Sequence, residues 1–185
     1  MKSVLISTRP KLVEKICHKI GEDETGKAIY EKRIEVRNTA PQEVPFKCYI
    51  YETKGQYVKF THGAHTKYGY GRGKVIGWFV CNLVDEYPYD YCDGVDIDDD
   101  TILETAIDRE DINIYAKGKT LYGWHISDLK IYNNPRELSE FRKPCKMTLP
   151  MCDRCEYYSI WRGRCENITR PPLSWCYVED LGEEE

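Results

Sequence analysis

The chain has 185 residues and a formal charge of −4, long enough for one domain with its own apolar core, so neither a disulfide nor a metal is needed merely to reach foldable size. No apolar run approaches a signal peptide or a membrane span, which predicts a soluble, cytoplasmic protein with no membrane partner. Nine cysteines in that compartment are read as thiols or metal ligands, and their odd number excludes a fully closed disulfide framework. The charge is uneven. Asp93, Asp96, Asp98, Asp99 and Asp100 form one acidic run, and Glu179, Asp180, Glu183, Glu184 and Glu185 form another. Without those ten acids the balance is 27 bases against 21 acids, which permits an anionic partner.

Residues 3–8 alternate apolar and polar and predict a first strand. A helix follows over about residues 10–20, with Pro10 at its first position and Leu12, Val13, Ile16, Cys17 and Ile20 on one face. Residues 21–27 read as a polar loop. After it comes Lys32-Arg33-Ile34-Glu35-Val36-Arg37, in which Ile34 and Val36 face one side of a strand while Arg33, Glu35 and Arg37 face the other. Such a strand holds one face in a core and points a fork of charge at a ligand: Arg grips carboxylate or phosphate, burial lowers the pKa of Lys, and Glu orients either.

Residues 46–53 predict a half-buried strand, and 74–84 a central one that is apolar nearly throughout. Between them, the glycine- and tyrosine-rich stretch 55–73 suits a mobile loop over a binding surface, and Gly69-Tyr70-Gly71-Arg72-Gly73-Lys74 within it reads as a hairpin turn rather than a phosphate loop, because a strand and not a helix follows. Residues 101–116 are weakly helical, 121–132 resume strand character, 135–141 form a short turn or helix, and 174–178 are the last strand. Five or six strands with two or three helices predict an α+β protein built as a small mixed barrel.

Cys145, Cys152, Cys155 and Cys165 lie in the pattern C-x6-C-x2-C-x9-C. A Cys-x2-Cys knuckle and two further thiolates suit a closed tetrahedral zinc site, and the segment has too few aliphatic residues to fold on its own burial. Cys176 is a possible substitute ligand. His62, His65 and His125 share no metal-ligand spacing. His125 is a candidate ligand contact or general base. Tyr49, Tyr51, Tyr57, Phe60, Tyr68, Tyr70, Tyr87 and Tyr91, interleaved with bases, suit stacking on unpaired nucleobases.

The charged strand, with Pro45-Phe46-Lys47-Cys48-Tyr49-Ile50-Tyr51, Lys74-Val75-Ile76-Gly77, Tyr122-Gly123-Trp124-His125-Ile126-Ser127-Asp128-Leu129 and Ser174-Trp175-Cys176-Tyr177-Val178-Glu179, resembles the ASCH-domain proteins of bacteria and their phages over nearly the whole chain. The resemblance implies a PUA-like β-barrel with flanking helices in residues 1–141, a zinc-knuckle-like insertion in 142–170, a final barrel strand in 171–179 and a disordered acidic tail in 180–185. The family signature Gly-x-Lys-x-x-Glu-x-Arg falls on Lys32, Glu35 and Arg37, with Tyr30 at the glycine position, and implies a cleft that binds RNA or nucleotides. Arg37, Lys32 and Arg9 are then expected to contact phosphate, with Tyr30 and His125 beside them. The wider family also contains ribonucleases and amidohydrolases that deacetylate acetylcytidine. In such a hydrolase Lys32 would be base or nucleophile and Glu35 its partner, but the amidohydrolases carry threonine where this chain has Glu35, whose charge keeps Lys32 protonated. Binding of RNA, single-stranded nucleic acid or a nucleotide is therefore the expected role, hydrolysis the first alternative, and an interaction module using its acidic stretches on a basic protein partner the second.

Overall fold

The computed structural model describes residues 2–61, 65–144 and 167–182, with the side chains of 56–70 left aside. The chain begins with β1 (Lys2–Thr8), α1 (Pro10–Cys17), a hairpin of β2 (Lys19–Glu22) and β3 (Ala28–Tyr30), then β4 (Ile34–Arg37) and β5 (Phe46–Glu52). A second hairpin, β6 (Gln56–Thr61) with β7 (His65–Tyr70), precedes β8 (Val75–Cys81) and β9 (Val84–Tyr87). The short pair β10 (Tyr89–Asp90) and β11 (Gly94–Val95) leads to α2 (Asp99–Thr105) and α3 (Arg109–Ala116), followed by β12 (Leu121–His125), β13 (Ser127–Arg136) and β14 (Trp175–Val178). Among the described residues this is a mixed α+β protein, mostly strands, with three α-helices.

Two sheets carry the molecule. Five strands stand in the order β13-β8-β5-β1-β14 and three in the order β4-β12-β9. Among the described residues they do not close into the expected barrel, because the chain leaves one sheet for the other at two neighbouring corners. The apolar run expected as a single strand over 74–84 breaks after Cys81, so that β8 lies in the large sheet and β9 in the small one. The run 121–132 breaks in the same way at Ile126, between β12 and β13. The corners are tied together where the His125 amide donates to Leu83 O at 3.0 Å and the Ile126 amide to Arg33 O at 2.8 Å. A strand that changes sheets leaves its former neighbours to end as edges.

β1 runs parallel to β5 and antiparallel to β14. All seven residues of β5 are buried, not alternate ones, because both faces of the large sheet are covered. One face, with Val4, Ile6, Phe46, Cys48, Ile50 and Phe79, packs against Val13 and Ile16 of α1 and Trp124 of the small sheet. The other, with Leu5, Tyr49, Tyr51 and Trp78, packs against Leu138, Phe141 and Ile168. Each fully buried side chain of this size contributes about 1.5–3 kcal/mol from removal of apolar area from water. The far face of the small sheet, carrying Ile34 and Val36, is covered by Ile97, Ile112 and Ala116.

Three stretches expected to be irregular are ordered. α1 ends at Cys17, earlier than its apolar pattern suggests, and the expected loop is a hairpin whose turn is held by the Asp23 carboxylate, which accepts from the amides of Thr25 and Lys27 at 2.8 and 2.9 Å. The 55–73 loop is the β6–β7 hairpin. Asp180, Leu181 and Gly182 of the expected disordered tail lie against β5, where Tyr49 OH donates to Asp180 at 2.6 Å.

Candidate functional site

Lys32, Glu35 and Arg37 come together, but in the interior and not along an open cleft: their residues are 0%, 3% and 6% exposed. Lys32 precedes β4 and faces the end of α2. There Ala106 takes a left-handed turn at φ 53° and leaves the last helical carbonyls without intrahelical donors. Lys32 Nζ donates to Thr105 O at 2.7 Å, Lys15 Nζ to Ala106 O at 2.7 Å and the Arg33 amide to Glu104 O at 2.7 Å. Two ammonium groups thus meet the negative end of α2, where the helix dipole favours them. Lys32 Nζ also donates to Ile34 O at 2.7 Å and lies 3.4 Å from Glu35 Oε2.

Arg37 crosses to the other side of the cluster. Its Nη2 sits 2.7 Å from Glu35 Oε1 and donates to Ser7 O at 3.1 Å and Thr8 Oγ1 at 3.3 Å, while Nη1 reaches Ser174 O at 3.3 Å. One carboxylate between two cations ties β4 to β1, β14 and α2. Burial pushes the Lys32 ammonium below its ordinary pKa, and Glu35 offsets part of that. Burial acts in the opposite sense on Glu35, but the charges of Lys32 and Arg37 outweigh it and hold the carboxyl below its ordinary range. Glu35 is therefore ionised at neutral pH, with the Arg37 guanidinium beside it.

Among the described residues three buried polar atoms at this place make no hydrogen bond: Glu35 Oε2, whose contact is the ion pair with Lys32, Arg37 Nε and Trp124 Nε1. Antiparallel register sets Trp124 opposite Glu35 and Tyr122 opposite Arg37, so all four side chains share one face of the small sheet. The native pattern is for nearly all buried polar groups to be paired. Two donors, Arg37 Nε and Trp124 Nε1, are therefore unmet on that face among the described residues, while Glu35 Oε2 has the Lys32 ammonium 3.4 Å away. Beside them, edge-to-face rings run from Phe46 to Trp124 (5.1 Å), Trp175 (5.8 Å) and Tyr177 (5.3 Å), the last two half-buried.

The remaining expected residues are spread around this centre. Arg9 is exposed, directly after Thr8 at the start of α1. Tyr30 is half-buried at the end of β3, opposite Lys19 and two residues before Lys32. His125 lies on the other face of the small sheet: its Nε2 is 2.6 Å from Asp85 Oδ2, and Asp85 stands opposite Gly123. On that face a Cβ at Gly123 would meet the Tyr87 hydroxyl at 2.5 Å, so only glycine fits between β12 and the ring. Cys176 is half-buried in β14, opposite Leu5, and burial raises its thiol pKa. Cys145, Cys152, Cys155 and Cys165 lie outside the described residues, and among the described ones no three His, Cys, Asp or Glu side chains are placed to hold a metal. Among the described residues no helix is long and apolar enough to cross a membrane.

Sequence reasoning did not single out Trp124, Thr105, Ser7 or Ser174 as parts of the site. Trp124 reads as a core residue in an apolar strand, and only its pairing with β4 brings the indole beside Glu35. The other three contribute mainly backbone carbonyls, which any residue type supplies.

No family model matches the chain, and no curated protein matches it by sequence. Solved structures do. The crystal structure of ASCH from Zymomonas mobilis superposes with a TM-score of 0.52 at 15% identity, covering 96% of this chain and 88% of its own. A tyrosine-to-phenylalanine mutant of that protein gives a TM-score of 0.52 at 15% identity over 97% and 91% of the two chains, and a serine-to-alanine mutant gives 0.52 at 14% over 96% and 89%. At this identity the likeness speaks to architecture: the chain has the fold of these ASCH structures.

Proposed function

We propose that the chain is a nucleic-acid or nucleotide-binding module that receives an unpaired base at the face carrying Glu35, Arg37 and Trp124. The observation that supports this is the set of unmatched polar atoms on that face. A nucleobase edge offers donors and acceptors side by side, so it meets a carboxylate oxygen and two N–H groups together, while the aromatic series ending at Trp175 and Tyr177 supplies a stacking surface.

The geometry shifts the expected roles within the cluster. Lys32 has its donors committed to Thr105 O and Ile34 O and its charge to Glu35, which suits a residue that holds the carboxylate and the α2 terminus rather than one that attacks a substrate. Arg37 Nε makes no hydrogen bond among the described residues and is the group that reads a base edge, and phosphate contact falls to the exposed Arg9. Single-stranded RNA and DNA and mononucleotides titrated at several salt concentrations test this. Saturable binding that weakens with salt is expected, with a slope shallower by about one phosphate contact in Arg9→Ala. Absence of binding to the whole panel overturns the reading.

The cysteine spacing supports a structural zinc held by Cys145, Cys152, Cys155 and Cys165, with Cys176 as the possible substitute. One equivalent of zinc per purified chain is the expected metal content, and none is the contrary result.

A further inference from the structure

The large sheet has a second polar feature on the face turned away from Glu35 and Arg37. Lys47 of β5 is 3% exposed, yet its side chain ends in a full charge. Its ammonium sits 4.4 Å from the centre of the Trp78 ring and 5.2 Å from that of Tyr49, and a second cation, Lys130, lies 5.0 Å from Trp78. The anion that balances Lys47 comes from the segment that follows β14. Asp180 Oδ1 accepts from Lys47 Nζ at 3.0 Å and from Tyr49 OH at 2.6 Å, and the Gly182 amide closes on the same oxygen at 3.2 Å. Lys47 also donates to Gly182 O at 3.3 Å, and the Leu181 amide donates to Tyr49 OH at 3.0 Å.

Two features make this a built site and not a chance ion pair. The donors belong to the fully buried strand β5, whereas the acceptor belongs to a segment that forms no strand ladder there among the described residues. Parallel register also sets Ser3 beside Lys47 on the same face, and the Ser3 hydroxyl is buried with no hydrogen-bond partner among the described residues. Leaving a buried ammonium without its anion is strongly destabilising. The donors here all converge on one oxygen of Asp180, and the hydroxyl beside them is left unmet.

We propose that Lys47, Tyr49 and Ser3 form a carboxylate-binding site, filled in this structure by the chain's own Asp180 and able to take an acidic peptide in its place. The aromatic walls of Trp78 and Tyr49 select a carboxylate flanked by an apolar residue, as Asp180 is followed by Leu181, which packs on the same core. The site is independent of the proposed base-binding face, which lies across the sheet.

The test uses the full chain, its Asp180→Asn variant and an end-blocked synthetic peptide of residues 179–182. The peptide is expected to bind the variant at least about tenfold more tightly than the wild type, whose site is already filled, and a peptide with asparagine at the aspartate position is expected to lose that advantage. Adding Lys47→Met to the variant is expected to abolish binding. Equal affinity for wild type and variant, or no saturable binding to the variant, overturns the proposal. Hydrogen exchange on the wild type gives a second reading that needs no variant: the Leu181 amide is expected to be protected, and exchange at the rate of a free chain overturns it.

Discussion

Lys32 illustrates how a charge is made tolerable in an apolar interior. Its ammonium has two carbonyls at 2.7 Å and a carboxylate at 3.4 Å, so burial costs it hydration but not hydrogen bonds. Removing it leaves Thr105 O and Ile34 O without this donor and Glu35 with Arg37 alone as its cation. Lys32→Met is therefore expected to lower unfolding free energy by about 3–5 kcal/mol, the range for breaking a buried ion pair, as read by urea denaturation. With Glu35→Gln already present the further loss is expected to be smaller, since the two residues share one interaction. Glu35 also sets a pH dependence. Its folded pKa lies below the ordinary 4.5, so the stability it contributes is complete above that value and is lost as pH falls through the folded pKa. Acid unfolding followed by circular dichroism is expected to begin below about pH 4.5, and Glu35→Gln to flatten that limb of the curve. The alternation of residues 32–37 was legible in the sequence, but the burial was not: charged side chains are placed at the surface by default, and although Glu35 is a local partner of both cations, Thr105 O and Ser174 O, which complete their shells, stand 73 and 137 residues away.

Among the elements, α2 is the clearest case of local chemistry overlooked in favour of composition. The acidic run read as a stretch for a basic protein partner contains the start of a helix. Asp98 is the N-cap, accepting from the Thr101 amide at 2.8 Å and from its hydroxyl at 2.6 Å, and Asp99 and Asp100 occupy the first turn, where the dipole favours them. Asp98→Ala is expected to cost about 1 kcal/mol in thermal or chemical denaturation, and an unchanged midpoint would show that the cap is not a source of stability. The same helix ends on Lys32 and Lys15, so its two termini connect an acidic surface run to the buried cluster. The strand reading succeeded where periodicity or β-branched residues dominated, as in β1, β5 and β8. It failed at the corners, because one apolar run serves equally for a single long strand and for two strands that part at Cys81 or at Ile126.

At the scale of the molecule, the two faces of the large sheet are put to different uses. One packs on the small sheet and α1 and encloses Glu35, Arg37 and Trp124; the other is crossed by residues 180–182, which neutralise Lys47. The α+β class and the likeness to ASCH structures were accessible from the motif blocks, because those blocks coincide with the strands that build both sheets. Closure into a barrel was not, since sheet closure depends on which strand edges meet, and strand order carries no local sequence signal. The central claim is that the face bearing the unmatched polar atoms receives a base. The most direct measurement is the affinity of wild type and Trp124→Phe for the same single-stranded RNA or mononucleotide, with folding of both checked by circular dichroism. The substitution keeps a ring but removes an N–H that makes no hydrogen bond among the described residues. Affinity about five- to tenfold weaker in the variant is expected, the worth of one hydrogen bond; equal affinity in the two proteins, or no saturable binding to the wild type, would contradict the assignment.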